Sequence, residues 1–240
     1  MQLHIYPEIK QLNAALADWI SSDIQQTLAV HGRYTIALSG GSTPKALYEW
    51  LAAKYHDRID WQKVVVFFDD ERYVPFEDER NNARMAFDSL LNKVNIDRDQ
   101  VHVMQINIPP KESAEEYEKI LHQYFDGQPH TFDLVLLGMG DDGHTLSLFP
   151  GKDVVRETNK WVSEVLLDDA GNYRITLTAP VVNLASKVVF LVAGEGKAET
   201  LHHVLNGPYQ PETYPSQLIQ PDSNNLHWFA DEAAAGKLER

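Results

Sequence analysis

Phe132-Asp133-Leu134-Val135-Leu136-Leu137 runs without a break into Gly138-Met139-Gly140-Asp141-Asp142-Gly143-His144-Thr145-Leu146-Ser147-Leu148-Phe149-Pro150-Gly151. A short apolar run bounded by turn residues is the pattern of a strand buried on both faces, as in a parallel sheet covered by helices. Here the run empties into a loop with three glycines and a histidine. Glycine lets backbone approach a ligand closely and take positive φ, and imidazole is the side chain whose ordinary pKa lies nearest neutrality. Open α/β sheets bind their ligands at the carboxyl ends of such strands.

Three readings compete for this loop. Gly138-x-Gly140-x-x-Gly143 after a strand matches the dinucleotide fingerprint, and Asp168 stands about where a ribose-binding acid belongs, roughly 20 residues on. Against it, Pro150-Gly151 stops any helix soon after Gly143, too early for a dinucleotide-binding unit. The second reading is a tight structural turn whose histidine is merely hydrogen-bonded. The third is a catalytic loop, and the neighbouring stretches favour it.

Tyr34–Leu38 is expected as a strand, followed by Ser39-Gly40-Gly41-Ser42-Thr43-Pro44. Thr43 is a candidate N-cap and Pro44 a candidate first helical residue for a helix reaching about Tyr55. A glycine turn opening a helix presents free N–H groups, hydroxyls and a favourable dipole, which suits an anion. Val64–Phe68 is a second buried run, and it ends in Asp69-Asp70-Glu71-Arg72. Lys187–Val192 is a third, and it leads into Ala193-Gly194-Glu195-Gly196-Lys197 and another helix. If these strands are neighbours, the turns after Leu38, Leu137 and Val192 open on one sheet edge, and Ser39–Thr43, His144 and Lys197 line one crevice.

The remaining segments read as scaffold. Leu12, Leu16, Ile20, Ile24 and Leu28 recur every four residues and predict an amphipathic helix over 8–30. Helical spacing returns at 87–94 and at 117–124, with Asn81 or Asn82 as a cap for the first. Strands are expected at 101–106, 161–167, 174–178 and 226–230, and a closing helix at Ala233–Ala235. The fold class is α/β, a three-layer sandwich with a mostly parallel, Rossmann-like sheet, in one domain over 1–240.

Composition bounds the partners. With 21 basic against 35 acidic residues the net charge is -14, which repels nucleic acid and anionic membrane unless basic groups cluster, and no Lys or Arg run exists. There is no cysteine, hence no disulfide or thiolate metal site. No apolar run approaches the ~18 residues of a membrane span, and the first residues lack a signal pattern. A cytoplasmic protein is expected, acting without a metal or cofactor, with its oligomeric state left open. No Gly-x-Ser-x-Gly elbow supports a serine nucleophile, and no His-Glu-x-x-His suggests zinc. His144 with water remains: the histidine as base, and loop amides such as those of Gly140 and Gly143 to stabilise an oxyanion.

Ser-Gly-Gly-Ser-Thr-Pro at 39–44, Asp-Glu-Arg-Tyr-Val-Pro at 70–75, the 138–150 block, Arg-Ile-Thr-Leu-Thr at 174–178 and Gly-x-Gly-Lys-Ala at 194–198 resemble, in the same order, the 6-phosphogluconolactonase family. The resemblance implies the fold of sugar-phosphate isomerases and deaminases. It also implies hydrolysis of a small phosphorylated sugar lactone, 6-phosphoglucono-δ-lactone, to 6-phosphogluconate in the oxidative pentose phosphate pathway. On that pattern His144 is the general base, Asp70 orients or polarises, and Ser42, Thr43, Arg72, Arg174 and Lys197 hold the phosphate, with Ser39, Gly40 and Gly41 in the same turn. Asn81 and Leu146 depart from the family's usual serine and alanine. The nearest rival, glucosamine-6-phosphate deaminase, has an Asn-Glu-Pro ending after its histidine, where this chain has Ser147-Leu148-Phe149-Pro150. A non-catalytic sugar-phosphate sensor is the rival of another class.

Overall fold

A computed structural model of the chain describes residues 1–239. Nine strands are numbered in chain order: β1 (Gln2–Tyr6), β2 (Tyr34–Leu38), β3 (Val64–Phe68), β4 (Asp70–Arg72), β5 (Leu134–Leu137), β6 (Val162–Leu166), β7 (Tyr173–Leu177), β8 (Val188–Val192) and β9 (Leu226–Asp231). Six of them form one sheet in the order β1-β9-β8-β5-β2-β3, with every pairing parallel. The other three form a small antiparallel sheet, β4-β7-β6.

The apolar runs build three layers because a strand's side chains alternate between faces. Ala37, Val65, Phe67, Val135 and Leu137 belong to one core, while Ile36, Leu38, Val64, Val66, Phe68, Leu134 and Leu136 belong to the other. The second core is closed by α1 (Ile9–Leu28), α2 (Ser42–Lys54) and α3 (Asn82–Ala86). The first is closed by α4 (Pro110–Phe125), α5 (Ala179–Asn183), α6 (Ala198–Asn206) and the small sheet. The predicted stripe of α1 is buried at Leu12, Leu16, Ile20 and Ile24. Each such side chain contributes roughly 1.5–3 kcal/mol when fully withdrawn from water.

Local differences from the sequence expectation have physical causes. Helix α2 is capped by Gly41 at φ 104, a conformation that favours glycine, so Ser42 and Thr43 sit inside the first turn and Pro44 follows them. Thr43 is therefore not the cap. The expected strand at 101–106 is reduced to one bridge, Val101 to Val66 on edge strand β3. Ala233–Ala235 forms turns rather than a helix, being too short to meet the cost of nucleation before Gly236. The 87–94 segment extends α3 as a single π-turn over Phe87–Leu91, and Asn81 caps α3 by accepting from Arg84 N at 2.8 Å. Strands β1 and β4 have no counterpart in the expectation.

Strand β3 lies to one side of β2 and β5 to the other, so chain order reverses between β2 and β5. That is the switch point where α/β sheets open a crevice. Among the described residues, no helix is long and apolar enough to cross a membrane.

Candidate active site

Because β8, β5 and β2 are adjacent and parallel, the turns that follow them share one edge. They enclose a cavity of about 520 Å³ lined by Ser39, Gly40, Gly41, Ser42, Thr43, Asp70, Arg72, Gly140, His144, Arg174 and Lys197, with Met139, Leu146 and Phe149 as apolar wall. Of the predicted site residues, only Gly143 lies outside it. Thr200, Tyr214 and Ser216 back the loop there: a side chain at Gly143 would meet Tyr214 at 2.8 Å, and its carbonyl accepts from Ser216 N and Oγ.

His144 is held on several sides. Its Nδ1 lies 2.5 Å from Asp142 Oδ1, which also accepts the His144 amide at 3.1 Å. Phe149 packs on the ring with centroids 4.3 Å apart. A Cβ on Gly140 would fall 2.1 Å from Nδ1, so only glycine leaves room for the ring here. Burial raises the Asp142 pKa, but the His144 amide and imidazole outweigh it and hold the carboxyl below its ordinary range. An ionised carboxylate only accepts, so Nδ1 carries the proton and Nε2 keeps its lone pair. Nε2 is the basic atom of the site.

Asp70, expected to orient the imidazole, is engaged elsewhere. Its Oδ1 accepts from Asn82 Nδ2 at 2.8 Å and its Oδ2 from Ser147 Oγ at 2.5 Å. The carboxylate on the imidazole is Asp142, which the sequence reading missed. The available signal was its position two residues before His144 in a glycine turn, the spacing of an Asx turn. Gly40 belongs to the Asp70 support, since a Cβ there would meet Asn82 Oδ1 at 2.0 Å. Glu71, also missed, is buried beneath: its carboxylate accepts from the amides of Arg72, Asn82 and Ala83 and ties β4 to the start of α3. Burial pushes its pKa up to about 7 against those amides.

The cations converge from two directions. Arg72 and Arg174 are direct cross-strand partners in β4 and β7, although like charges opposite one another are unfavourable. Arg72 donates from Nη1 to the Arg80 carbonyl, while its Nε is buried without a partner. Burial lowers the Arg174 pKa, with Asp70 opposing and Arg72 reinforcing that shift. Such a pair is stabilised by an anion placed between the two guanidinium groups. Lys197 reaches the cavity from the turn after β8, and its Nζ pairs with Asp141 at 2.5 Å. The first turn of α2 adds the amides of Ser42 and Thr43, which have no partner within the helix. Ser39 is buried in the cavity wall, and its carbonyl accepts from Tyr48 Oη at 2.7 Å.

One expectation is corrected. The amides of Gly140 and Gly143 do not face the cavity as oxyanion donors: the first donates to the His144 carbonyl at 2.8 Å and the second to the Gly140 carbonyl at 3.1 Å. The dinucleotide reading fails on two counts. The 138–143 loop opens no helix, and Asp168 closes the β6–β7 hairpin by accepting from Asn172 and Ala170. Among the described residues, no group of three or more His, Asp or Glu side chains is arranged to hold a metal ion.

The model of the family described as glucosamine-6-phosphate isomerases/6-phosphogluconolactonase matches residues 7–228. The chain belongs to this family. Its relatives include a 6-phosphogluconolactonase of Nostoc sp., 40% identical with 98% of each chain covered. A probable 6-phosphogluconolactonase of Schizosaccharomyces pombe is 36% identical over 100% of this chain and 97% of its own. The solved structure of a 6-phosphogluconolactonase from Trypanosoma cruzi superposes with a TM-score of 0.86 at 26% identity, covering 100% of this chain and 97% of that one. A monomeric glucosamine-6-phosphate deaminase shares the fold, with a TM-score of 0.84 at 17% identity. In this family setting Asn81 has a local explanation, since it supplies the same kind of cap a serine would. Leu146 is buried at φ 57, and nothing in the structure explains leucine there.

Proposed function

We infer that the protein is a 6-phosphogluconolactonase, a carboxylic ester hydrolase of sugar-phosphate metabolism. The observation that carries this reading is the joint lining of one cavity by an imidazole with a free Nε2 and by three cations beside a helix N-terminus. The substrate is a neutral ester ring bearing a phosphate, and the cavity offers each half its complement. Arg72, Arg174, Lys197, Ser42 and Thr43 take the phosphate. Nε2 of His144 accepts a proton from water as the water oxygen bonds to the lactone carbonyl carbon. The tetrahedral intermediate then collapses with cleavage of the bond to the ring oxygen, which takes the proton back from the imidazolium and becomes a hydroxyl. Asp142 holds the ring in the required tautomer and stabilises the imidazolium. Asp70, fixed by Asn82 and Ser147, lines the same cavity as a polarising or water-orienting group.

Phe149, where the deaminases carry glutamate, supports hydrolysis over amine chemistry, because it places an apolar ring rather than an acid against His144. The test is acid release from 6-phosphogluconolactone, above its spontaneous rate, beside ammonia release from glucosamine 6-phosphate. The expected result is turnover of the lactone alone. Ammonia release would make the protein a deaminase, and inactivity on both a sensor.

A further inference from the structure

One of the three cations lining the cavity is already engaged. Lys197 Nζ lies 2.5 Å from Asp141 Oδ1, and the two ends of this pair are held differently. The lysine side chain is 25% exposed and its backbone is fixed: its amide donates to the Gly194 carbonyl at 3.0 Å, and the Gly194 amide is gripped by the Asp231 carboxylate. Asp141 is anchored only through its main chain, whose carbonyl accepts from Thr200 Oγ1 at 2.6 Å. Its carboxylate is 80% exposed and lies outside the cavity wall. Lysine's flexible four-carbon stem can exchange one partner for another, while Asp141 can turn into solvent.

We propose that Asp141 is an internal competitor for the phosphate: it holds Lys197 while the cavity is empty and yields it to a phosphate dianion. This rests on Lys197 being a phosphate ligand, as in the proposed function. An exposed ion pair contributes no more than about a fivefold factor. A phosphate monoester carries a charge of about -1.5 to -2 and three strong acceptor oxygens, so it displaces the aspartate. A monoanion such as a sugar carboxylate offers Lys197 little that Asp141 does not. The pair therefore weakens by a small factor the binding of any anion that takes Lys197, and re-forms as the phosphorylated product leaves.

The test compares wild type, Asp141→Asn, Lys197→Ala and the double variant. Calorimetry gives the affinity for 6-phosphogluconate and inorganic phosphate, and steady-state kinetics the hydrolysis of phosphorylated and unphosphorylated gluconolactone. Asp141→Asn is expected to tighten both phosphate ligands about two- to fivefold and to leave hydrolysis of the unphosphorylated lactone unchanged. In the Lys197→Ala background it is expected to change neither. Weaker phosphate binding in Asp141→Asn, or tightening that persists without Lys197, overturns the proposal. If Lys197→Ala leaves phosphate affinity intact, Lys197 is not a phosphate ligand and the premise fails too. If Lys197→Ala weakens binding but Asp141→Asn does not tighten it, the exchange alone is wrong.

Discussion

At the scale of single residues, the proposed mechanism depends on which imidazole nitrogen carries the proton. Asp142 decides this by accepting from Nδ1. Asp142→Asn preserves shape but can present an N–H to Nδ1 and favour the wrong tautomer. Its kcat is expected to fall on the order of 10²-fold with KM changed less than about threefold. A matching rise in KM would make Asp142 a binding residue instead. Gly40 acts one step further out. Gly40→Ala drives a methyl into buried Asn82, which holds Asp70, so kcat is expected to fall about tenfold or more, as in other misplacements near a reacting centre. Activity within twofold of wild type would remove Asp70 from the catalytic assignment. His144 was legible in the sequence as an ionisable side chain on a glycine turn. Its partner was harder to read, since Asp70, Asp141 and Asp142 are alike in kind, and the Asx-turn spacing that favours Asp142 decides only once the loop's path is known.

At the scale of elements, β4 and the start of α3 share one carboxylate. Glu71 accepts three backbone amides in a buried position, and burial still raises its pKa to about 7 from 4.5. Since the folded pKa is the higher one, the folded chain binds more protons between those values. The stability this adds is present below about pH 4.5 and is lost as pH rises through 7. The window corresponds to about 3 kcal/mol at most. Denaturant midpoints for wild type and Glu71→Gln at pH 5 and pH 8 check this: the wild type is expected to lose more stability on going to pH 8 than the variant. Equal losses would show that Glu71 is ionised without penalty. Nothing in Asp70-Glu71-Arg72 signals a strand, because three charged residues form one only where β7 supplies the ladder. Strand β1 was equally silent, its five residues pairing with β9 from the far end of the chain.

For the whole molecule, the short apolar runs at 34–38, 64–68, 134–137 and 188–192 carried the fold, because continuous burial on both faces leaves few arrangements other than a covered parallel sheet. That β2, β5 and β8 are neighbours could not be read from the runs themselves, yet their adjacency brings the three glycine turns together. The small antiparallel sheet was legible in part: β6 and β7 were expected as strands and β4 was not, although β4 and β7 together deliver both arginines to the cavity. An overall charge of -14 conceals this basic site, since composition averages over the whole chain while Arg72, Arg174 and Lys197 line one cavity. The central claim is that a single imidazole performs hydrolysis in a cavity that binds the phosphate without it. The most direct measurement is the turnover of 6-phosphogluconolactone by His144→Ala, corrected for spontaneous hydrolysis, with 6-phosphogluconate affinity determined on the same sample. Turnover is expected to drop ~10²–10⁴-fold with affinity within about threefold of wild type; undiminished turnover would contradict the claim.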